Sequence, residues 1–235
     1  GRSSLDPRAV LERVVERAER DHGLRFLLGP EHEFFLLGSD EFSSSSKEMH
    51  TDKAGYFGTS PGDAGDSIRQ QIVDVLGRCG VRYEKMHHEV TPSQQEINLE
   101  CGPPLEVADR TLLFTHVTKE IAFENGLHAS FMSKPFDHLN RNAFHIHLSA
   151  QDLDGNNLFY AKDDDLSELA RFFIGGVLAH ARETSVVMAA TFNSYKAYVL
   201  DREAPVLRGW GLNNRSSMVR VPVAMTPEGT RIELR

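Results

Sequence analysis

Three apolar stretches of this chain carry charged or imidazole side chains two positions apart. Glu31 and Glu33 lie in Pro-Glu-His-Glu-Phe-Phe-Leu-Leu, His145 and His147 in Phe-His-Ile-His-Leu, and Arg231, Glu233 and Arg235 in Arg-Ile-Glu-Leu-Arg. Successive side chains of a strand point to opposite faces, so residues i and i+2 share one. The same stretches hold Phe34, Phe35, Leu36, Ile146, Leu148, Ile232 and Leu234. Three such polar faces on apolar strands predict a sheet that curves around a polar cavity. Like charges at i, i+2 repel, and a divalent cation between them offsets this. Carboxylates with an occasional imidazole, and no thiolate, suit Mg²⁺ or Mn²⁺ rather than zinc. Glu89 and Glu96 add two more acids. Seven residues apart, they would point oppositely on one straight strand. Thr91-Pro92-Ser93 between them reads as a turn, and a hairpin returns both acids to one space.

The inventory is five carboxylates, one or two imidazoles and an arginine-rich final segment holding Arg202, Arg208, Arg215, Arg220, Arg231 and Arg235. Without a cysteine or serine nucleophile, this set fits phosphoryl transfer, with metals bridging phosphates and arginines neutralising developing charge. Gly62-Asp63-Ala64-Gly65 and Gly175-Gly176 do not make a phosphate-binding glycine loop, so metals and guanidinium groups would have to hold a nucleotide. The formal net charge of −8 argues against a nucleic-acid partner. There is no run of 18 apolar residues to span a membrane. Two cysteines, Cys79 and Cys101, make no disulfide framework, and the expected location is the cytoplasm.

The elements that must position these residues are strands at 24–37, 83–90, 95–100, 128–134, 143–151, 218–224 and 230–235. The patterning adds helices from Asp6-Pro7 to Gly23, Asp66 to Gly80, about Leu105 to Asn125 and about Ser167 to Ala190. Strands and helices do not alternate as regular βαβ units, so the expected class is α+β. Ser43–Ser46 reads as a low-complexity loop. His32, His116, His128 and His180 read as structural and Cys79 as a packed, inert thiol, while His87 and His88 are left as either packed or supporting residues. Arg235 ends the chain inside a patterned strand, from which a fragment is expected.

Segments in one order sharpen this picture: Glu31-His32-Glu33-Phe34-Phe35, Gly55-Tyr56-Phe57, His87-His88-Glu89-Val90, Gln94-Gln95-Glu96-Ile97, the run Gly126 to Pro135, His145-Ile146-His147, Asn193-Ser194-Tyr195-Lys196, Glu203-Ala204-Pro205, Asn214-Arg215-Ser216 and Arg231 to Arg235. With them the chain resembles the catalytic domain of the glutamine synthetase family from about Leu27 to Arg235. The resemblance implies a curved, mostly antiparallel sheet forming a half-barrel funnel with helices packed outside. Residues 1–235 are then one such domain, lacking an N-terminal β-domain and a C-terminal remainder.

By the same resemblance, Glu33, Glu89 and Glu96 match ligands of one metal, and Glu31, His145 and Glu233 those of a second that bridges the ATP phosphates. Arg215, Arg220 and Arg235 match phosphate-stabilising arginines. Ser149 and Arg231 match positions at the ribose and base, and His147 one near the ATP. Glu203 and Tyr56 match residues around the ammonium. The implied cofactors are ATP and two Mg²⁺ or Mn²⁺ per site. The implied partners are a small-molecule acid, ammonia or an amine, and further copies in a ring-type homo-oligomer with active sites between subunits. ATP would phosphorylate a side-chain carboxylate, and an amine would displace the phosphate. Two positions depart from the family pattern: Arg141 stands where a glycine is usual, and Ala197 where an arginine holds the α-carboxylate. These substitutions lead us to expect a ligase with altered acid recognition. The alternatives are glutamine synthetase proper, transfer to an organic amine, an inactive relative and a guanidino kinase.

Overall fold

The computed structural model describes residues 3–38, 49–200 and 204–235. Helix α1 spans Pro7–His22; the Asp6 side chain accepts from the Arg8 N–H, and Gly23, in the left-handed region at φ 64°, closes it. Its only buried residue is Ala9. Helices α2 (Asp66–Arg78) and α3 (Pro104–Glu124) pack on the sheet through Ile68, Ile72, Leu76, Phe114, Val117 and Ile121. Eight strands make one sheet: β1 Arg25–Leu37, β2 Tyr83–His88, β3 Gln94–Leu99, β4 His128–Ser130, β5 Phe144–Gln151, β6 Leu207–Leu212, β7 Ser217–Val221 and β8 Ile232–Leu234. The order is β2-β3-β1-β5-β8-β7-β6, with β4 on the end of β1. All pairs are antiparallel except β6 with β7. The sheet is open, and the α+β expectation is met.

Strand β1 shows how pattern becomes position. On one face, Phe34 and Leu36 enter the core under α2 and α3. On the other, Phe35 and Leu37 pack with Met49 and Phe136, leaving Glu31 and Glu33 farther back on that same face. His32 lies on the core face at 4.4 Å and 4.9 Å from the Phe114 and Phe144 rings, as a structural histidine should. At the β2–β3 turn the Gln94 N–H donates to the Thr91 carbonyl at 3.0 Å, and Ser93 takes φ 66°.

Several expected elements differ. The fourth helix divides into α4 (Glu168–Ala179) and α5 (Ala181–Met188) at His180. The α4 residues Ala170 and Ile174 are seated under β5, β7 and β8, whereas α5 buries only Ala181, so no packing aligns its axis with α4. A short helix, α6, covers Phe192–Tyr195. Strand β6 was not anticipated: Leu-Arg-Gly-Trp-Gly-Leu has two glycines and little alternation, and it lies at the sheet edge. Strand β4 is three residues long rather than seven. Cys79 is exposed at the end of α2, not packed. His116 and His180 are exposed rather than structural. Residues 43–46 lie outside the described residues.

Arg69 on α2 ties helix to sheet. Its guanidinium donates to Asp63 Oδ2 at 2.6 Å and to Gln95 Oε1 on β3, with Arg69 and Asp63 both buried. Removing one partner leaves an uncompensated buried charge, which costs about 3–5 kcal/mol. Arg69→Met should lower the urea midpoint accordingly, and adding Asp63→Asn should restore much of the loss. Equal midpoints for wild type and Arg69→Met would contradict this.

Candidate active site

Strand register sets polar residues side by side on one face. Lys85, Asn98, Glu31 and His145 form a row across β2, β3, β1 and β5. Two positions along, His87, Glu96 and Glu33 form another. His147 on β5 faces Glu233 on β8, which faces Arg220 on β7. Spacing by two keeps these rows on the same surface.

One cluster centres on Glu31 and Glu233. His147 Nε2 donates to Glu31 Oε1 at 2.9 Å and its Nδ1 accepts from Arg231 Nε at 3.0 Å. His145 Nδ1 lies 3.3 Å from Glu31 Oε2, and its Nε2 is 3.4 Å from Arg141 Nη2. These partners assign both imidazoles as neutral donors to Glu31. Burial alone would raise the Glu31 carboxyl, but the hydrogen bonds from His145 and His147 hold it well below the usual range. Burial lowers His145 as well. Glu233 is fully buried and accepts from Arg220 Nη1 and Arg235 Nη1, each at 2.7 Å.

The second cluster holds Glu89, Glu96 and His87, with Glu33 beside it. His87 Nε2 is 3.3 Å from Glu96 and its Nδ1 3.7 Å from Glu89. Glu33 Oε2 accepts from Gln94 Nε2 at 3.0 Å and from the Ala143 N–H at 2.8 Å. Burial, then the Glu96 charge, pushes Glu33 up to about 8. Burial, then Glu33 and Glu96, pushes Glu89 up to about 9. Two buried acids thus hold protons at neutral pH, the mark of a site short of positive charge.

Most of the expected site residues converge here. The donor atoms of Glu31, His147 and Glu233 lie within 4.8 Å of one another, as do those of His87, Glu89 and Glu96. Hard oxygen donors with imidazole, already under-neutralised, fit divalent cations. In this structure His147 and His87 stand in these triads where His145 and Glu33 were expected, although His145 remains 3.6 Å from Glu233. Arg220 and Arg235 both reach Glu233. Ser149, His147 and Arg231 line a cavity of about 270 Å³ that reaches Glu31. Arg141 and Ala197 line a second, larger one with Glu33 and Arg235. Tyr56 is half exposed, its ring 5.3 Å edge-on from that of His87. Arg215 stands on the exposed turn between β6 and β7. Glu203 lies outside the described residues.

Some residues that build the site escaped the sequence. Gln94 Nε2 donates to the Arg141 carbonyl at 2.7 Å as well as to Glu33, pinning the loop before β5. Asp52 Oδ1 accepts from His88 Nε2 at 3.0 Å and from the Ser93 N–H at 2.8 Å, and His88 Nδ1 donates to the Glu89 carbonyl at 2.6 Å. With both ring nitrogens of His88 committed, and Asp63 on Arg69, these residues act as scaffold behind Glu89. Nothing in the spacing of Asp52 signals this, because its partners lie 36 and 41 residues away.

The raised carboxyls make stability depend on pH. In their folded state Glu33 and Glu89 keep protons that the unfolded chain releases near 4.5. The unfolded state therefore binds fewer protons, and stability should fall as pH rises from about 4.5 toward 8–9. Saturating Mg²⁺ should flatten or reverse that slope in urea midpoints measured against a chelated control. A slope indifferent to Mg²⁺ would contradict the assignment.

A family model described as glutamine synthetase, catalytic domain, matches residues 4–235. Glutamine synthetase of Methanosarcina mazei is 42% identical over 232 residues, 98% of this chain and 51% of that protein. The Halobacterium salinarum enzyme is 41% identical over 97% of this chain and 50% of its own length. The chain therefore spans about half the length of these relatives. The cryoEM structure of Plasmodium falciparum glutamine synthetase superposes with a TM-score of 0.88 at 27% identity, over 97% of this chain and 51% of that one. With its sheet, its clustered carboxylates and these relatives in agreement, the chain belongs to the glutamine synthetase family.

Proposed function

We propose that this chain carries the phosphoryl- and acyl-transfer site of a glutamine synthetase acting on glutamate and ammonia. The observation that carries this is the pair of carboxylate–imidazole clusters on one sheet face, with Arg220 and Arg235 held at their shared edge by Glu233. The relatives support glutamate and ammonia as the substrates, being named glutamine synthetase at about 40% identity. A γ-carboxylate oxygen of glutamate attacks the γ-phosphorus of ATP, and the bond to the leaving ADP oxygen breaks. Ammonia then attacks the acyl carbon, phosphate leaves with the C–O bond electrons, and a proton passes from the nitrogen to a base, the role we give Glu203. When bound, two divalent cations (Mg²⁺ or Mn²⁺) screen the phosphates and the charge that develops on them.

Glu33, Glu89 and Glu96, with His87, would hold one cation; Glu31, His145 and Glu233, with His147, the other. Arg220 and Arg235, which Glu233 holds at this edge of the site, would serve the transferring phosphoryl group together with Arg215. Ser149, His147 and Arg231 would contact the nucleotide in their cavity. Tyr56 would flank the ammonium.

One observation favours altered substrate recognition instead. Arg141 and Ala197 share a cavity with Glu33 and Arg235, so a guanidinium reaches the acid's side of the site while Ala197 offers no charge there. Large exposed apolar side chains, among them Phe192, Val187 and Leu112, support cover by further chain or by copies in a ring-type homo-oligomer. We place the protein in the cytoplasm; no described helix is long and apolar enough to cross a membrane.

The test is phosphate release from ATP and Mg²⁺, with product identified by mass, in the protein as its gene encodes it. Glutamate with ammonia should be the best pair in a panel of acids and amines. Glu233→Gln should cut turnover roughly 100-fold or more without unfolding the protein, and Arg141→Lys should weaken glutamate more than ATP. Faster turnover with another acid or amine would favour the altered-recognition alternative, and full activity of Glu233→Gln would refute the site.

A further inference from the structure

Lys85 on β2 stands where the two carboxylate clusters meet. Its Nζ is 3.5 Å from Glu31 Oε1 in one cluster and 4.0 Å from Glu96 Oε1 in the other. Its side chain is 51% exposed, so these are loose, solvent-screened pairs that a competing ion can replace. Lys85 also lines the cavity that holds Ser149, His147 and Arg231. Beside it in the sheet register, Asn98 is 3% exposed, lines the same cavity, and its Oδ1 has no hydrogen-bond partner. The cavity therefore offers an ammonium that an anion would meet, and a nucleoside triphosphate supplies one.

We infer that Lys85 is a phosphate-binding residue of the nucleotide cavity, an ammonium that partners Glu31 and Glu96 in the unliganded protein and moves to the polyphosphate when divalent cations take those carboxylates. The inference rests on the metal-and-nucleotide reading of the site. The cavity wall carries Glu31, Glu84 and Glu228 against Lys85 and Arg231, so acids outnumber fixed cations and each ammonium counts. Its two roles act in opposite directions on the two ligands. Before nucleotide binds, Lys85 competes with the metal for carboxylate oxygens. Once nucleotide is present, it attracts the phosphates.

Lys85→Met keeps the length of the stem and removes the charge. Mn²⁺ affinity without nucleotide, from electron paramagnetic resonance titration, should rise about three- to tenfold, the effect of one unit charge a few ångströms away in a wet site. ATP affinity with saturating Mg²⁺, from calorimetry, should fall by about the same factor, and Lys85→Arg should keep most of it. Loss of both affinities together would mean structural damage, and movement of neither would make Lys85 a bystander; each overturns the assignment. A wild-type protein that binds neither Mn²⁺ nor ATP would overturn the ligase reading itself, whereas wild-type binding with an unmoved Lys85→Met variant overturns only the role of Lys85.

Discussion

Repulsion among carboxylates on one sheet face is the constraint on which the rest of this structure depends. Glu31, Glu33, Glu89, Glu96 and Glu233 share a surface where burial strengthens every electrostatic interaction. Each is met by a counter-group: two imidazoles on Glu31, two guanidinium groups on Glu233, His87 on Glu96, an amide and a backbone N–H on Glu33, and the Val90 N–H on Glu89. The compensation is incomplete, which is why Glu33 and Glu89 keep protons near neutrality. A fold that accepts such a deficit is arranged to receive positive charge from outside.

Holding the acids there takes more than the strands that carry them. The site face of β1 changes from polar at Glu31 and Glu33 to packed at Phe35 and Leu37 within one strand. That change fixes the strand's register, because a shift of one residue would turn the acids toward the apolar core under α2 and α3. Behind Glu89, the Asp52–His88–Ser93 contacts hold the β2–β3 turn. Behind Glu96, Arg69 reaches Gln95 from a helix on the opposite face. Gln94 joins Glu33 to the loop of Arg141. Side chains such as Gln95 and His88 therefore tie the acidic face to the core behind it.

Local pattern made much of this legible. The i, i+2 pairs at Glu31/Glu33, His145/His147 and Arg231/Glu233/Arg235 revealed one polar face per strand, and Thr91-Pro92-Ser93 gave the hairpin that brings Glu89 to Glu96. What escaped has no local signature. Strand β6 is masked by Gly209 and Gly211, and the break at His180 depends on what α5 fails to bury. Asp52, Lys85 and Asn98 gain meaning only from partners across the sheet. The pairing of Arg220 and Arg235 with Glu233 was not foreseen either: the motif placed the arginines with phosphate, and the structure shows which carboxylate holds them without it.

Membership of the glutamine synthetase family and the geometry of the site support one central claim, that the face carries two separate divalent-cation sites. The most direct measurement is the Mn²⁺ stoichiometry by electron paramagnetic resonance near pH 8, on wild type and on Glu233→Gln. Two ions per chain are expected in the wild type, and one retained in Glu233→Gln, on the Glu89–Glu96 side. A single ion, no ion, or two ions held equally well by Glu233→Gln would contradict it.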